Sequence, residues 1–151
     1  MIDTRPLFRI ALTVPSVIDL GATPLGTRKI ANVSGGSFEG ERLRGSVVPA
    51  PGGDWILARP DGAMILDVRL LLKTDDDQLI YMSYRGVRHG PPDIMARLNR
   101  GEAVEPGSYY FKIQPVFETA SPRYDWLNRV MAIGNGQRLP SGPVYDVFEV
   151  L

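Results

Sequence analysis

Charged side chains stand within or beside β-like apolar segments at several places along this chain. A carboxylate or guanidinium on a strand that also carries apolar residues must reach water or find a partner, so a recurring set of them can mark an internal polar pocket. The set is carried by Gly52-Gly53-Asp54-Trp55, Arg59-Pro60-Asp61-Gly62, Asp67-Val68-Arg69, Arg85-Gly86, Phe117-Glu118 and Tyr124-Asp125-Trp126-Leu127-Asn128. We expect these segments to supply a site for a small molecule.

Two carboxylates of this set are candidate catalytic groups for proton transfer. Glu118 follows Phe117 near the end of a predicted strand, and aromatic surroundings suit a carboxyl group to act as a general acid or base. Asp67 is the second candidate. The alternative for each is a structural carboxylate that accepts backbone hydrogen bonds.

Other members of the set are candidate ligand-binding groups. Arg59, Arg69 and Arg85 each present several donors in a fixed plane, which suits them to clamp a ligand carboxylate or to stabilise an enolate oxygen. The alternative for these arginines is pairing with nearby aspartates.

Aromatic residues accompany the charged groups at both ends of the set. Asp54 and Trp55 follow two glycines, which permit a sharp turn, so we expect a carboxylate and an aromatic wall at the mouth of the pocket. Trp126 and Asn128 are expected to close the pocket and to orient a ligand oxygen. The simpler alternatives are a turn-stabilising Asp54, a core Trp55 and a hydrophobic plug at Trp126.

Alternation along the segment 63–74 separates two faces of a predicted strand. One face carries only apolar residues, whereas the other mixes charge with apolar groups, and these rows are Met64, Leu66, Val68, Leu70 and Leu72 against Ile65, Asp67, Arg69, Leu71 and Lys73. A hairpin around residues 75–77 would bring Arg85 toward the mixed row. We expect that row to line a wet cavity, the alternative being ordinary cross-strand charge pairs at a barrel rim.

The remaining pattern is predominantly β. Short strands separated by Gly, Pro, Asn or Asp clusters predict an all-β antiparallel sandwich or barrel, with strands at 7–14, 37–48, 55–59, 63–74, 78–86, 108–119, 130–133 and 144–150. Another strand is predicted around Lys29-Ile30-Ala31, and Gly134-Asn135-Gly136 is predicted to be a hairpin turn. One helix is predicted to begin after Pro91-Pro92 and to end at Gly101, beside one end of the barrel.

Composition limits the classes of partner and cofactor. Lysine and arginine total 17 and aspartate and glutamate total 17, so we expect no nucleic acid or membrane partner. The chain has no Cys and a single His, His89, which excludes sulfur-ligated and multi-histidine metal sites. With no apolar run long enough to cross a bilayer, we expect one cytoplasmic domain over residues 1–151 that needs no cofactor.

Taken together and in order, these motifs resemble the DUF3237 family, also called UPF0311 proteins, over almost the whole length. Further matching segments are Gly21-Ala22-Thr23-Pro24-Leu25-Gly26-Thr27-Arg28 and Gly35-Gly36-Ser37-Phe38-Glu39-Gly40. The resemblance implies a small antiparallel β-barrel, similar to allene-oxide-cyclase-like and lipocalin-like barrels, with an inner cavity. It implies no particular reaction. The turn at Asp75-Asp76-Asp77-Gln78 departs from the Asp-Gly pair usual in the family.

Two function classes fit these residues. The first is a cofactor-independent isomerase, cyclase or lyase, in which Glu118 or Asp67 moves a proton while an arginine stabilises the oxyanion. The second is a non-catalytic binder of an organic acid or hydrophobic metabolite, and a structural protein with an external interface is a weaker third. A homodimer is also compatible, with the apolar face that contains Met64 either in the core or at a subunit contact.

Overall fold

Eleven antiparallel strands and one α-helix form the fold in a computed structural model that describes residues 1–151. The strands are β1 (Thr4–Thr13), β2 (Ser16–Thr23), β3 (Gly26–Asn32), β4 (Gly35–Glu39), β5 (Arg44–Val47), β6 (Gly53–Ala58), β7 (Met64–Thr74), β8 (Leu79–His89), β9 (Tyr110–Glu118), β10 (Met131–Leu139) and β11 (Gly142–Val150). The helix, α1 (Pro92–Asn99), follows β8, and short 3-10 segments occupy Pro106–Ser108 and Asp125–Arg129.

Eight of the strands close into a barrel. They pair in the order β7-β5-β4-β1-β11-β10-β9-β8, and β8 pairs again with β7 to complete the ring. The remaining strands, β6, β3 and β2, form an extension that leaves the barrel at β7. β6 pairs with β7 between Met64 and Arg69, whereas β5 pairs with the same strand from Leu72 onward. The predicted antiparallel β-barrel with one helix is thereby confirmed.

Side chains at alternate positions of the strands fill the barrel interior. Along β7 the residues Met64, Leu66, Val68, Leu70 and Leu72 are buried, as alternate strand residues on the inner face must be. They belong to one apolar core cluster of 27 residues. This face is therefore core and is not a subunit contact.

The mixed row of β7 faces outward, contrary to the expectation that it lines a cavity. Asp67 is half-buried and Arg69 is exposed on this outer face, and Asp67 Oδ2 lies 3.8 Å from Arg85 Nη2 across the β7–β8 pair. The physical reason is solvation, because a charged strand row is stabilised by facing water and a neighbouring opposite charge. The alternative of a cross-strand charge pair holds for Asp67, whose partner is Arg85.

Several strand boundaries differ from the predicted ones. Gly134-Asn135-Gly136 lies inside β10 and is not a turn, because the inward-facing glycines admit large side chains from β9. A Cβ added at Gly136 would stand 2.6 Å from the Phe111 ring. The predicted strand 37–48 is two strands, β4 and β5, joined by a turn.

The predicted hairpin around residues 75–77 is confirmed by ten paired positions between β7 and β8. Asp77 takes the left-handed conformation there, with φ 65°, which Asp tolerates better than most residues. Helix α1 begins and ends within two residues of the predicted bounds, with Pro92 in its first turn and Gly101 (φ 78°) two residues beyond its last residue. Met95 and Leu98 are buried on one face of α1. No helix in the structure has both the length and the apolar character needed to cross a bilayer.

Candidate functional site

A cavity of about 210 Å³ lies inside the barrel at the end beside α1. Most of its wall is apolar, from residues such as Leu12, Ile56, Leu66 and Phe111. The polar groups that line it come from six different elements, and they are Lys29, Asp54, Tyr84, Arg88, Asn99, Arg138 and Tyr145. A mainly apolar pocket with a few convergent polar groups is typical of a small-molecule site.

Strand register explains why these groups converge. Asp54 on β6 and Tyr84 on β8 both pair with Val68 of β7, one on each side of it. The residues at alternate positions in β8 face inward, so Arg88 follows Tyr84 and Gly86 along the inner wall. Arg138 and Tyr145 reach the same space from the neighbouring strands β10 and β11.

Asp54 is the carboxylate at the centre of this group. It is 8% exposed, its Oδ1 accepts the backbone N–H of Asp67 at 3.1 Å, and no cation lies within 4 Å of it. Burial raises the pKa of Asp54 to about 7, although the Asp67 amide and the charge of Arg88 act in the opposite direction. This carboxyl group therefore exchanges its proton near neutral pH, as a general acid or base requires.

Two guanidinium groups face the cavity, and each has a buried nitrogen without a hydrogen-bond partner. Nε of Arg88 and Nη1 of Arg138 are buried and make no hydrogen bond. Burial lowers the pKa of Arg88, and the charge of Arg138 acts in the same direction, yet a guanidinium stays protonated at neutral pH. The Arg88 guanidinium also lies 5.4 Å from the centre of the Phe111 ring, a distance at which a cation is attracted to an aromatic ring.

A pair of tyrosines completes the polar group. The Tyr84 hydroxyl donates to the Tyr145 hydroxyl at 3.2 Å, and the two rings meet edge to face with centroids 5.3 Å apart. Burial raises the pKa of both phenols, so both are neutral. Because Tyr145 accepts in this pair, its own proton is free to be donated into the cavity.

Of the residues predicted from sequence, the structure brings Asp54 to this cavity. Glu118 is exposed on the outer face of β9, and Arg85 is exposed beside Asp67 on the outer face of the barrel. Arg69 lies outside as well, with its guanidinium 5.7 Å from the centre of the Trp55 ring, and Trp55 is 39% exposed. The catalytic roles of Glu118 and Asp67 stay predictions, but the two carboxylates do not converge on the cavity.

The other predicted residues also lie away from the cavity. Arg59 pairs with Asp61 in the exposed turn before β7. Trp126 packs against the core and beneath the Arg42 guanidinium, 4.1 Å away. Asn128 Oδ1 accepts the backbone N–H of Thr119 at 2.8 Å. None of Arg59, Trp126 and Asn128 lines the cavity.

Sequence reasoning missed Arg88, Arg138, Tyr84 and Tyr145 as site residues. The signal for Arg88 was present, because the apolar row Ile80, Met82 and Tyr84 reaches Arg88 when the alternation is continued past Gly86. In β10 the same alternation leads from Ala132 through two glycines to Arg138. In both strands, an arginine follows a row of inward-facing apolar residues and glycines at alternate positions. This sequence pattern marks the site.

The profile of a family described as "Protein of unknown function (DUF3237)" matches residues 2–150. The chain belongs to the DUF3237 family. A UPF0311 protein of Rhodopseudomonas palustris is 34% identical over 150 residues, which are 99% of this chain and 97% of that protein. A UPF0311 protein of Clostridium acetobutylicum is 32% identical over 145 residues, 95% of this chain and 91% of that protein. The resemblance drawn from the motifs is therefore confirmed.

Solved structures share the DUF3237 barrel. The crystal structure of a conserved protein of unknown function from R. palustris superposes with a TM-score of 0.96 at 34% identity, covering 100% of this chain and 99% of that one. A protein from Acinetobacter baumannii described as beta-barrel like has a TM-score of 0.87 at 38% identity, covering 100% and 97%. A Penicillium herquei protein described as an enzyme, with a TM-score of 0.75 at 20% identity over 99% and 95% of the two chains, shows likeness of fold alone.

Proposed function

We propose that this DUF3237 protein binds a small, partly apolar organic anion in its barrel cavity and acts on it as a cofactor-independent isomerase, cyclase or lyase. The observation that carries the proposal is the pair of half-buried arginines, Arg88 and Arg138, whose buried Nε and Nη1 atoms have no hydrogen-bond partner. A buried donor without an acceptor is costly, and the cost is larger for a charged group. An anionic oxygen of a ligand would supply the missing acceptor.

Charge balance supports an anionic ligand. Lys29, Arg88 and Arg138 line the cavity with one carboxylate, Asp54, which carries a proton for about half the time near pH 7. The wall of the cavity therefore carries an excess of positive charge in both protonation states of Asp54. Apolar side chains form most of the remaining wall, so the rest of the ligand is expected to be hydrocarbon or aromatic.

The same groups suit proton transfer at a carbon next to a carbonyl. Asp54 as a carboxylate would take the proton, and the electron pair of the C–H bond would move onto the carbonyl oxygen. Arg88, Arg138 and the free hydroxyl proton of Tyr145 would stabilise that oxyanion. Protonated Asp54 would then return its proton to a different atom of the substrate, which gives an isomer without a cofactor.

The mostly apolar wall favours a second candidate, a non-catalytic binder of the same organic anions. In this case Asp54 would serve as the internal counter-ion of the two arginines when no ligand is bound. The two candidates share the binding step and differ only in proton transfer, so one pair of measurements separates them.

Binding is tested by thermal shift with benzoate and phenylpyruvate, each compared with its uncharged amide. We expect the anions to raise the melting temperature more than the amides do, and Arg88→Gln or Arg138→Gln to remove the difference. Arg44→Gln, on an exposed position of β5, is the matched control and should keep it. Equal shifts for anions and amides would contradict anion binding.

Proton transfer is tested by following the exchange of the phenylpyruvate methylene protons in D₂O by NMR. An enzyme should accelerate this exchange above the buffer rate, and Asp54→Asn should lower the acceleration by about 100-fold or more. Loss of the acceleration in Glu118→Gln or Asp67→Asn instead would restore the assignment made from sequence. Binding without acceleration would leave the protein a binder.

A further inference from the structure

Apolar side chains form an exposed patch on the outer face of four adjacent barrel strands, β8, β9, β10 and β11. Met131 is 63% exposed, Val116 is 59% exposed and Ile133 is 47% exposed. Tyr81 is 38% exposed, and Phe148 and Val150 are half-buried beside them. We call this patch the β8–β11 outer face. Exposed apolar residues gathered in one place mark an interaction surface, whereas scattered ones do not.

The strand pairing gives this face an internal symmetry. Tyr84 of β8 pairs with Pro115 of β9, and Ala132 of β10 pairs with Glu149 of β11. Continuing the β9–β10 register from the Ile113–Gly134 pair sets Pro115 beside Ala132. These four buried residues define a line that crosses the strands under the middle of the face.

Similar side chains flank this line on the outside. On β10 the flanking residues are Met131 and Ile133, and on β11 they are Phe148 and Val150. Farther from the line, β8 carries Tyr81 on one side and Val87 on the other. A half-turn about an axis parallel to this line and just outside the face reverses the strand direction and turns the face over, so each residue would meet the one on the opposite side in a second copy.

Charge on β9 follows the same symmetry. Lys112 and Glu118 are exposed at equal distances on opposite sides of the line, and neither forms an ion pair within the chain. Lys112 Nζ donates a hydrogen bond to Asn135 Oδ1 at 2.6 Å and lies 5.5 Å from the centre of the Tyr110 ring. The half-turn places Lys112 of one copy against Glu118 of the other, and it does so twice. Rotation about an axis along β9 would instead place Lys112 against Lys112 and Glu118 against Glu118.

We propose that two copies of this chain associate through the β8–β11 outer face, about a two-fold axis that runs across the strands just outside this face, at the level of Pro115 and Ala132. Sheets that pack face to face bury their facing side chains between them, so Met131 would contact Ile133 and Phe148 would contact Val150. Gln114 would meet Val116 near the axis. The proposal is independent of the cavity, because the side chains that would meet the second copy all lie on the outer face of the barrel.

A second apolar surface, on the edge strand β2, lacks this symmetry. Val17, Ile18 and Leu20 are exposed there, but the register of β2 shifts between Asp19 and Gly21, where Gly21 has φ 88°. A bulge of this kind protects a free edge from pairing with another chain. The β2 edge therefore provides a comparison site for the experiment.

The test is sedimentation equilibrium of the full chain over a range of concentrations, with circular dichroism to verify folding of each variant. The parent is expected at twice the chain mass of 16.7 kDa. Lys112→Glu and Glu118→Lys should each weaken association about tenfold or more, because each opposes like charges in two places. The double variant restores opposite charges and should regain most of the affinity.

Two further variants separate this face from other contacts. Met131→Lys should dissociate the dimer, whereas Ile18→Lys on the β2 edge should leave it intact. A monomeric parent at high micromolar concentration would overturn the proposal. So would a double charge reversal that fails to recover association, or dissociation by Ile18→Lys alone.

Discussion

The buried position of Asp54 lowers the stability of the folded chain when the carboxyl group is ionised. Its carboxyl group has a pKa of about 7 in the folded chain and an ordinary value of 3.8, so the folded state holds a proton that the unfolded state releases between these pH values. Stability therefore falls as the pH rises from about 4 to about 7, and it stays low above that range. A carboxyl group with a strongly shifted pKa at a cavity wall is common at functional sites.

Replacing Asp54 by Asn should remove this pH dependence. We expect Asp54→Asn to change stability little near pH 4 and to stabilise the protein by up to ~4 kcal/mol above pH 8, at about 1.4 kcal/mol per pKa unit. The measurement is urea unfolding of parent and variant from about pH 4 to about pH 8. Asp75→Asn, in an exposed turn, is the control. A constant difference across the pH range would contradict the assignment.

At the level of single residues, the sequence predicts the chemical types in the site, a carboxylate and arginines, better than it predicts which residues supply them. The Gly-Gly-Asp-Trp motif indicated Asp54, which lines the cavity. Asp67 and Arg69 were indicated by their chemistry, but the register places them outside. Arg138 lies far along the chain from the other site residues and arrives only through the β10–β11 pairing, which a single sequence does not disclose.

Inward-facing glycines in β8 and β10 leave space for large side chains of β9 that pack beside the cavity. Gly136 lies under the Phe111 ring, and Gly134 and Gly86 lie under Ile113, so that an added Cβ would stand no more than 3.0 Å from these side chains. Phe111 in turn lies beneath Arg88 and beside Tyr145, with ring centroids 5.3 Å apart. The glycines thus set the position of the cavity wall.

Adding one methyl group at Gly136 should therefore disturb both stability and ligand binding. We expect Gly136→Ala to destabilise the protein by about 1–3 kcal/mol because the Phe111 ring must move. The variant should also weaken binding of any anion held by Arg88. Gly107→Ala, with no atom within 4 Å of the added Cβ, is the matched control and should unfold like the parent. Equal effects at both positions would show that crowding by Phe111 is not the cause.

The elements themselves could be predicted well where alternation is long. β7, β8 and β9 show unbroken alternation, and their predicted bounds lie within three residues of the observed ones. β10 was predicted too short because two glycines look like a turn when their β9 partners are unknown. The strand β2 was missed, since its residues are exposed on both faces and carry no period.

Across the whole molecule, the two ends of the barrel respond to pH in opposite ways. At the end away from the cavity, Glu149 accepts hydrogen bonds from Arg5 at 2.8 Å and from Arg42 at 2.5 Å. The Arg5 hydrogen bond is the main cause that lowers the pKa of Glu149. Its stabilising contribution is therefore complete at neutral pH and is lost as the pH falls through that lowered pKa.

Glu149→Gln should destabilise the protein at neutral pH without altering the cavity. We expect a loss of about 1–3 kcal/mol near pH 7, since two guanidinium groups lose a charged acceptor, and a smaller loss near pH 3. Thermal unfolding of parent and variant across this range is the measurement. Asp146→Asn breaks the exposed pair with Arg9 and should cost less than about 1 kcal/mol. A Glu149→Gln loss that grows toward low pH would contradict the expected sign.

Overall architecture could be predicted because many weak signals agree. Short alternating strands and the order of the family motifs both indicate a closed antiparallel barrel, and the eight-stranded ring confirms it. The three-stranded extension could not be predicted, because it depends on β7 sharing one edge between β5 and β6.

Because β7 pairs with both β5 and β6, the strands that close the barrel are distinct from those that extend the cavity wall. β2 and β3 supply Val17, Lys29 and Ala31 to the cavity wall, yet they reach the barrel only through β6. A hairpin of different length or composition could be grafted at this point while the closed ring kept its own pairing. Ligand choice and barrel integrity are thus free to diverge separately, which makes the β2–β3 hairpin the natural place to engineer a new specificity.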